Sequence, residues 1–235
     1  MSAKFELVLT PFVQWGVAHL TALALILALG ALCWRLRGVD AARRKGLRSA
    51  FALILLLNEA AWHIWHAQRG FWDFRTMLPL NLCNVMVFLA VWELLTLQAA
   101  PYPFLYFLGI GGAVQVLITP ALGPYGFPHP LFFQIFISHG GVVLAAVYLA
   151  VVERLYPQGW RDFWRVFAGM NLYWLLMFFV NRWLGANYLF IMFKPPVLTL
   201  LDYLGPWPWY ILSMEAIGVV LAGLLYLPFY LRGKA

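Results

Sequence analysis

Seven stretches of about 20 mostly apolar residues follow one another along the chain, the length an α-helix needs to cross the hydrocarbon of a bilayer. They cover residues 12–34, 47–66, 78–97, 102–121, 131–152, 163–184 and 209–231. In lipid each spanning segment must satisfy its own backbone N–H and C=O groups. The spacing therefore predicts an all-α, polytopic membrane protein, a single seven-helix domain over residues 1–235. Composition agrees, with 64% hydrophobic and 11% charged residues, where soluble domains carry about a quarter charged. The first run is too long for a signal peptide and a basic cluster follows it, so it reads as a retained span.

The basic residues assign an orientation. The segment RLRGVDAARRKGLR holds Arg35, Arg37, Arg43, Arg44, Lys45 and Arg48, and short loops rich in Lys and Arg stay in the cytoplasm. The N-terminus is then outside and the C-terminus cytoplasmic. This places 11 of the 16 Lys and Arg residues inside, with Arg154, Arg161, Arg165, Arg232 and Lys234 completing that set. Lys4, Arg69, Arg75, Arg182 and Lys194 stay outside. The net charge of +7 is a topology signal, and no aromatic-interleaved basic patch suggests nucleic acid. Cys33, near the inner end of the first span, reads as a small apolar filler, too far from Cys83 for a disulfide.

Orientation gives each polar residue a depth. The outer halves of the spans hold 14 Asn, Gln, His, Glu and Cys residues and the inner halves three. At about 1.5 Å per residue, His19, Glu59, Cys83, Gln115, His139 and Glu215 fall in one layer. Ionisable groups in lipid are costly unless they face a bundle interior or a watered cavity, so the layer predicts one outward-facing polar pocket. In the second span Glu59, His63 and His66 share a helical stripe, with Asn58 beside it. The stripe suits a helix-to-helix pair, a network tuning a catalytic group, or part of a zinc shell with His139.

The stretch LPLNLCNV places Asn81, Cys83 and Asn84 where lipid would favour leucine. Pro79 fits the first turn of a helix, which sets Cys83 just beyond that turn. A thiol near a helix N-terminus and a histidine ionises more readily, and the thiolate is the nucleophile. Asn81 and Asn84 suit an oxyanion or a histidine. Packing also explains a free buried cysteine, and a helix-to-helix hydrogen bond also explains His139 in ISHGG. Part of the apolar outer loop over residues 185–208 reads as a cover over the pocket, with Lys194 either available to a lipid phosphate or simply snorkelling to the interface. Tyr188, Trp207, Trp209 and Tyr210 fit an aromatic belt.

LPLNLCNV, ISHGG, and NYLFIMFKPP followed by LLDYLGPWPWY resemble the YwaF-like bacterial integral membrane proteins. That group is similar to a mammalian transmembrane acyltransferase family that remodels ether phospholipids. More remotely it resembles the androgen-induced hydrolases of fatty-acid esters. The resemblance implies a lipid acyltransferase or acyl-ester hydrolase of the cell membrane, with Cys83 as nucleophile and His139 as base. Glu59, His63, His66, Asn58, Asn81, Asn84 and Glu215 form the expected supporting network, and Tyr188 and Lys194 the lipid-binding groups. The expected partner is a phospholipid or lyso-lipid. No cofactor is expected, since no glycine-rich phosphate loop is present. A transporter or receptor for a small polar ligand is the rival reading, and a metal-dependent hydrolase is the third.

Overall fold

The computed structural model describes residues 10–195 and 200–231. Lys4, Arg232 and Lys234 of the charge assignment lie outside the described residues. Within them the chain is helical, without strands. The helices are α1 (Val17–Arg35), α2 (Ala41–Gln68), α3 (Leu82–Thr96), α4 (Tyr102–Ile118), α5 (Pro130–Val151), α6 (Trp160–Leu184) and α7 (Trp209–Leu231). Five of them, α1, α2, α5, α6 and α7, are long and apolar enough to cross a membrane. The other two are shorter than the spans expected over residues 78–97 and 102–121. Pro79 lies in a turn closed by Leu80 N–H donating to the Leu78 carbonyl (2.7 Å), so α3 begins at Leu82. Pro120 lies just past the end of α4, where its ring prevents continuation.

The basic cluster is less of a loop than its composition suggests. Only residues 36–40 connect α1 to α2, and Asp40 caps α2 by accepting from the Arg43 N–H (3.0 Å). Arg43, Arg44, Lys45 and Arg48 therefore ride on the first turns of α2.

Helix α5 forms the centre, packed against α1, α2, α3 and α4. The most apolar window of α5 is 61% buried, against 11–17% for the other four long helices. Gly140 and Gly141 explain how it is surrounded so closely. A Cβ at Gly140 would meet Ile26 Cδ1 of α1 at 2.7 Å, and one at Gly141 would collide with Leu55 of α2. Within α4 the backbone widens to a π-helical turn over Leu105–Gly109. Gly109 there brings α4 against Val142, which a Cβ would approach to 3.0 Å. Helices α6 and α7 join the bundle chiefly through α4, and a large cavity separates them from its centre.

Candidate functional site

The site grows from the first turn of α3. Asn81 is the N-cap, and its carbonyl accepts the first helical bond from Val85 N–H (3.1 Å). The N–H groups of Leu82, Cys83 and Asn84 precede that bond and form the donor end of the helix. Cys83 thus lies inside the first turn as its second residue, three residues closer to the helix terminus than Pro79 implied. The Asn81 side chain does not cap the helix. Its Oδ1 accepts from Leu189 N–H (3.0 Å), tying the outer loop to the residue two before the cysteine.

Cys83 is a free thiol that lines two cavities. The smaller, of about 10 Å³, is bounded by Cys83, Met86, Leu108, Gly109, Ser138 and His139 among others. That is room for about one water molecule. The Nδ1–H of His139 donates to the Ile135 carbonyl one turn earlier (2.9 Å). In the neutral imidazole this leaves the proton-accepting lone pair on Nε2. Ser138, buried beside it, is the polar residue that motif reading passed over. Its position next to a histidine in an otherwise apolar helix was the available signal.

The expected supporting network divides into separate groups. Glu59, 2% exposed, accepts from Asn84 Nδ2 (2.8 Å) and lies 3.5 Å from His63 Nε2. Trp72 Nε1–H donates to His63 Nδ1 (3.1 Å), so the neutral ring carries its proton on the nitrogen facing Glu59. A chain Trp72–His63–Glu59–Asn84 therefore ends one residue from Cys83. His66 is not part of it, because its Nδ1–H donates to the Trp62 carbonyl (3.0 Å) and its ring packs edge-on against Trp62 and Trp65. Asn58 turns to α5 and donates to the Gln134 carbonyl (3.4 Å).

Glu215 belongs elsewhere again. It accepts from Asn171 Nδ2 (2.7 Å), and both residues line the larger cavity of about 480 Å³ with Asn81, Cys83 and Gln115. His19 is fully buried between α1 and α4: its Nδ1 accepts from Trp15 N–H (3.0 Å) and its Nε2–H donates to the Leu117 carbonyl (2.9 Å). The single polar pocket is thus corrected to two cavities and separate side-chain pairs. Equal depth fixes position along the bundle axis and leaves direction around each helix open.

The outer loop does cover the larger cavity, through Leu189, Phe190, Pro195, Leu201 and Leu204. Tyr188 departs from its expected place at the lipid interface. It is buried, its hydroxyl donates to the Phe74 carbonyl and accepts from Leu78 N–H (3.0 Å), and Asn181 brackets its backbone. Burial raises the pKa of its hydroxyl above the usual phenol range. Tyr210 is likewise buried, its hydroxyl donating to the Phe190 carbonyl, while Trp207 and Trp209 are exposed as a belt requires. Lys194 Nζ lies 5.5 Å from the centre of the Tyr210 ring, a cation–π distance. Among the described residues no group of three or more His, Cys, Asp and Glu is placed to hold a metal ion.

A family model matches residues 14–226, nearly the whole chain, and describes the TMEM164 family of transmembrane proteins. No curated protein and no solved structure matches the chain.

Proposed function

The chain belongs to the TMEM164 family, and on that premise we propose that it is a membrane-embedded acyltransferase or acyl-ester hydrolase acting on phospholipids through Cys83 and His139. The observation that carries the reading is the double exposure of one thiol. Cys83 shares the small cavity with His139 and opens on its other side to an apolar cavity of about 480 Å³, within the usual range of roughly 300–1,000 Å³ for ligand sites.

In this reaction His139 Nε2 takes the thiol proton as Cys83 Sγ attacks the acyl carbonyl carbon. The backbone N–H groups at the start of α3 face the developing oxyanion with the positive end of the helix dipole. Asn84 Nδ2 already donates to Glu59, whereas the Leu189 N–H bond occupies only the Oδ1 of Asn81, so the Asn81 amide N–H can join the backbone donors in this role. Breaking the ester C–O bond returns the proton from His139 to the departing lyso-lipid oxygen and leaves a thioester on Cys83. A lyso-lipid hydroxyl then attacks the thioester as His139 takes its proton, and the thiol is regenerated. Water in place of that hydroxyl makes the same site a hydrolase. Glu59 and His63 position the first turn of α3 through Asn84.

The same reading places the protein in the cell membrane with α3 and α4 completing seven spans and the N-terminus outside. At about 1.5 Å per residue α3 and α4 fall short of a bilayer core of about 30 Å. Their flanking apolar turns at residues 78–81 and 119–121 supply the remaining length.

The test is incubation of detergent-purified protein with an acyl-labelled phospholipid, followed by intact-mass analysis. An acyl adduct on the wild type, absent in Cys83→Ala and formed about 10²–10⁴-fold more slowly in His139→Ala, is expected for nucleophile and base. An adduct that persists in Cys83→Ala removes the mechanism. Lipid or solute binding without adduct or turnover would favour a transporter or receptor.

A further inference from the structure

The larger cavity has a direction. Along α6 its lining runs from Phe163 to Trp174, and along the antiparallel α7 from Ala222 to Met214. The pairing is fixed by the Asn171–Glu215 hydrogen bond (2.7 Å) near one end and by the Trp160 and Tyr226 rings, 5.0 Å apart, beyond the other. Eleven residue steps on α6 make the cavity about 16 Å long, close to half of a bilayer core of about 30 Å and hence to the depth of one leaflet's chains.

Polarity is confined to one part of this length. Asn81, Cys83, Gln115, Asn171 and Glu215 lie toward the loop-covered end, and Asn171 and Glu215 satisfy one another. The far end is walled by Phe107, Phe163, Val166, Leu221 and Ala222. Phe107 closes it against Phe163 and Tyr226, with ring centres at 6.1 and 6.4 Å. The apolar part, eight residue steps or about 12 Å from Asn171 to Phe163 and continuous with a thiol, suits an aliphatic chain.

We propose that this far end is a fatty-acyl-chain pocket whose aromatic floor limits the length of chain the protein accepts. The proposal rests on the acyl-transfer reading for the placement of the ester at Cys83, while chain binding itself does not require the reaction. Gly218 sets the usable depth. It lines the cavity, and a Cβ added there meets nothing within 4 Å, so a larger side chain enters the pocket without displacing the fold. Gly223 on the same helix also has nothing within 4 Å of an added Cβ and does not line the cavity.

The experiment measures fatty-acid binding by native mass spectrometry in the Cys83→Ala background, comparing chains of eight and sixteen carbons. Gly218→Leu should weaken the longer chain by about fourfold per excluded methylene and leave the shorter one within about twofold. Ala222→Leu, deeper in the pocket, should act in the same direction and guards against one variant failing to fold. Gly223→Leu should change neither chain. Equal binding of both chains by wild type and both pocket variants, or the same loss in Gly223→Leu, overturns the proposal. Because Cys83→Ala cannot form a thioester, chain selection without an adduct on the wild type would overturn the acyl-transfer reading alone. An adduct with no chain selection would overturn the pocket alone.

Discussion

Tyr188 shows how a residue's type can point to the wrong role. An aromatic residue in an outer apolar loop suits the lipid interface, yet here its hydroxyl bridges the Phe74 carbonyl and the Leu78 N–H just ahead of α3. Tyr188→Phe removes both of these part-buried hydrogen bonds and should cost about 0.5–1.5 kcal/mol for each, read as a lower melting temperature in detergent. An unchanged melting temperature with weakened lipid binding would return Tyr188 to a substrate role. Glu59 is a sharper case, because its carboxylate holds Asn84 and its second oxygen has no hydrogen-bond partner among the described residues. Glu59→Gln keeps an acceptor for Asn84, whereas Glu59→Leu removes it. Acyl-adduct formation should therefore slow about tenfold or more in Glu59→Leu and less in Glu59→Gln. Equal rates in the two variants would count against a positioning role.

Among the elements, α5 carries the arrangement. Its two glycines let α1 and α2 approach on adjacent faces, and that approach leaves His139 directed toward α3 and α4. Gly141→Val drives side-chain atoms into Leu55, and overpacking of this kind costs about 1–3 kcal/mol. A thermal melt of Gly141→Val should show that loss, while Gly111→Ala, with open space around the added Cβ, should melt as the wild type does. Helix α4 adds the π-helical turn, a feature often found at functional sites. No apolar count could have revealed it, since it depends on how Leu108 and Gly109 meet α3 and α5.

At the scale of the whole molecule, the asymmetric charge distribution predicts the side on which each end lies. A C-terminal reporter active only in the cytoplasm should be active, and the same reporter at the N-terminus should be silent. The reverse pattern would invert the topology and with it the leaflet that supplies the substrate. The two cysteines report on the cavity and not on sidedness. Cys33 is buried near the end of α1 beside the basic connection, while Cys83 opens to the large cavity. A membrane-permeable lipophilic maleimide should therefore label Cys83 faster than Cys33, because Cys83 borders a cavity that admits the reagent and Cys33 is buried.

The sequence by itself determined the helical class, the membrane setting and the chemical identity of the central residues. Those properties follow from composition, from the length of apolar runs and from the cost of exposed backbone in lipid, which are local quantities. It also placed Cys83 and His139 at one depth, because rise per residue converts position along a helix into distance along the bundle. Only the tertiary structure decided that these two share a cavity while Glu215 pairs with Asn171 and His19 and His66 turn away. The direction of each helix face is set by packing, through the close approach at Gly140 and Gly141, the widened turn of α4 and the separation of α6 and α7 from the centre. Contacts between residues far apart in the chain supply that information, and no single apolar stretch contains it.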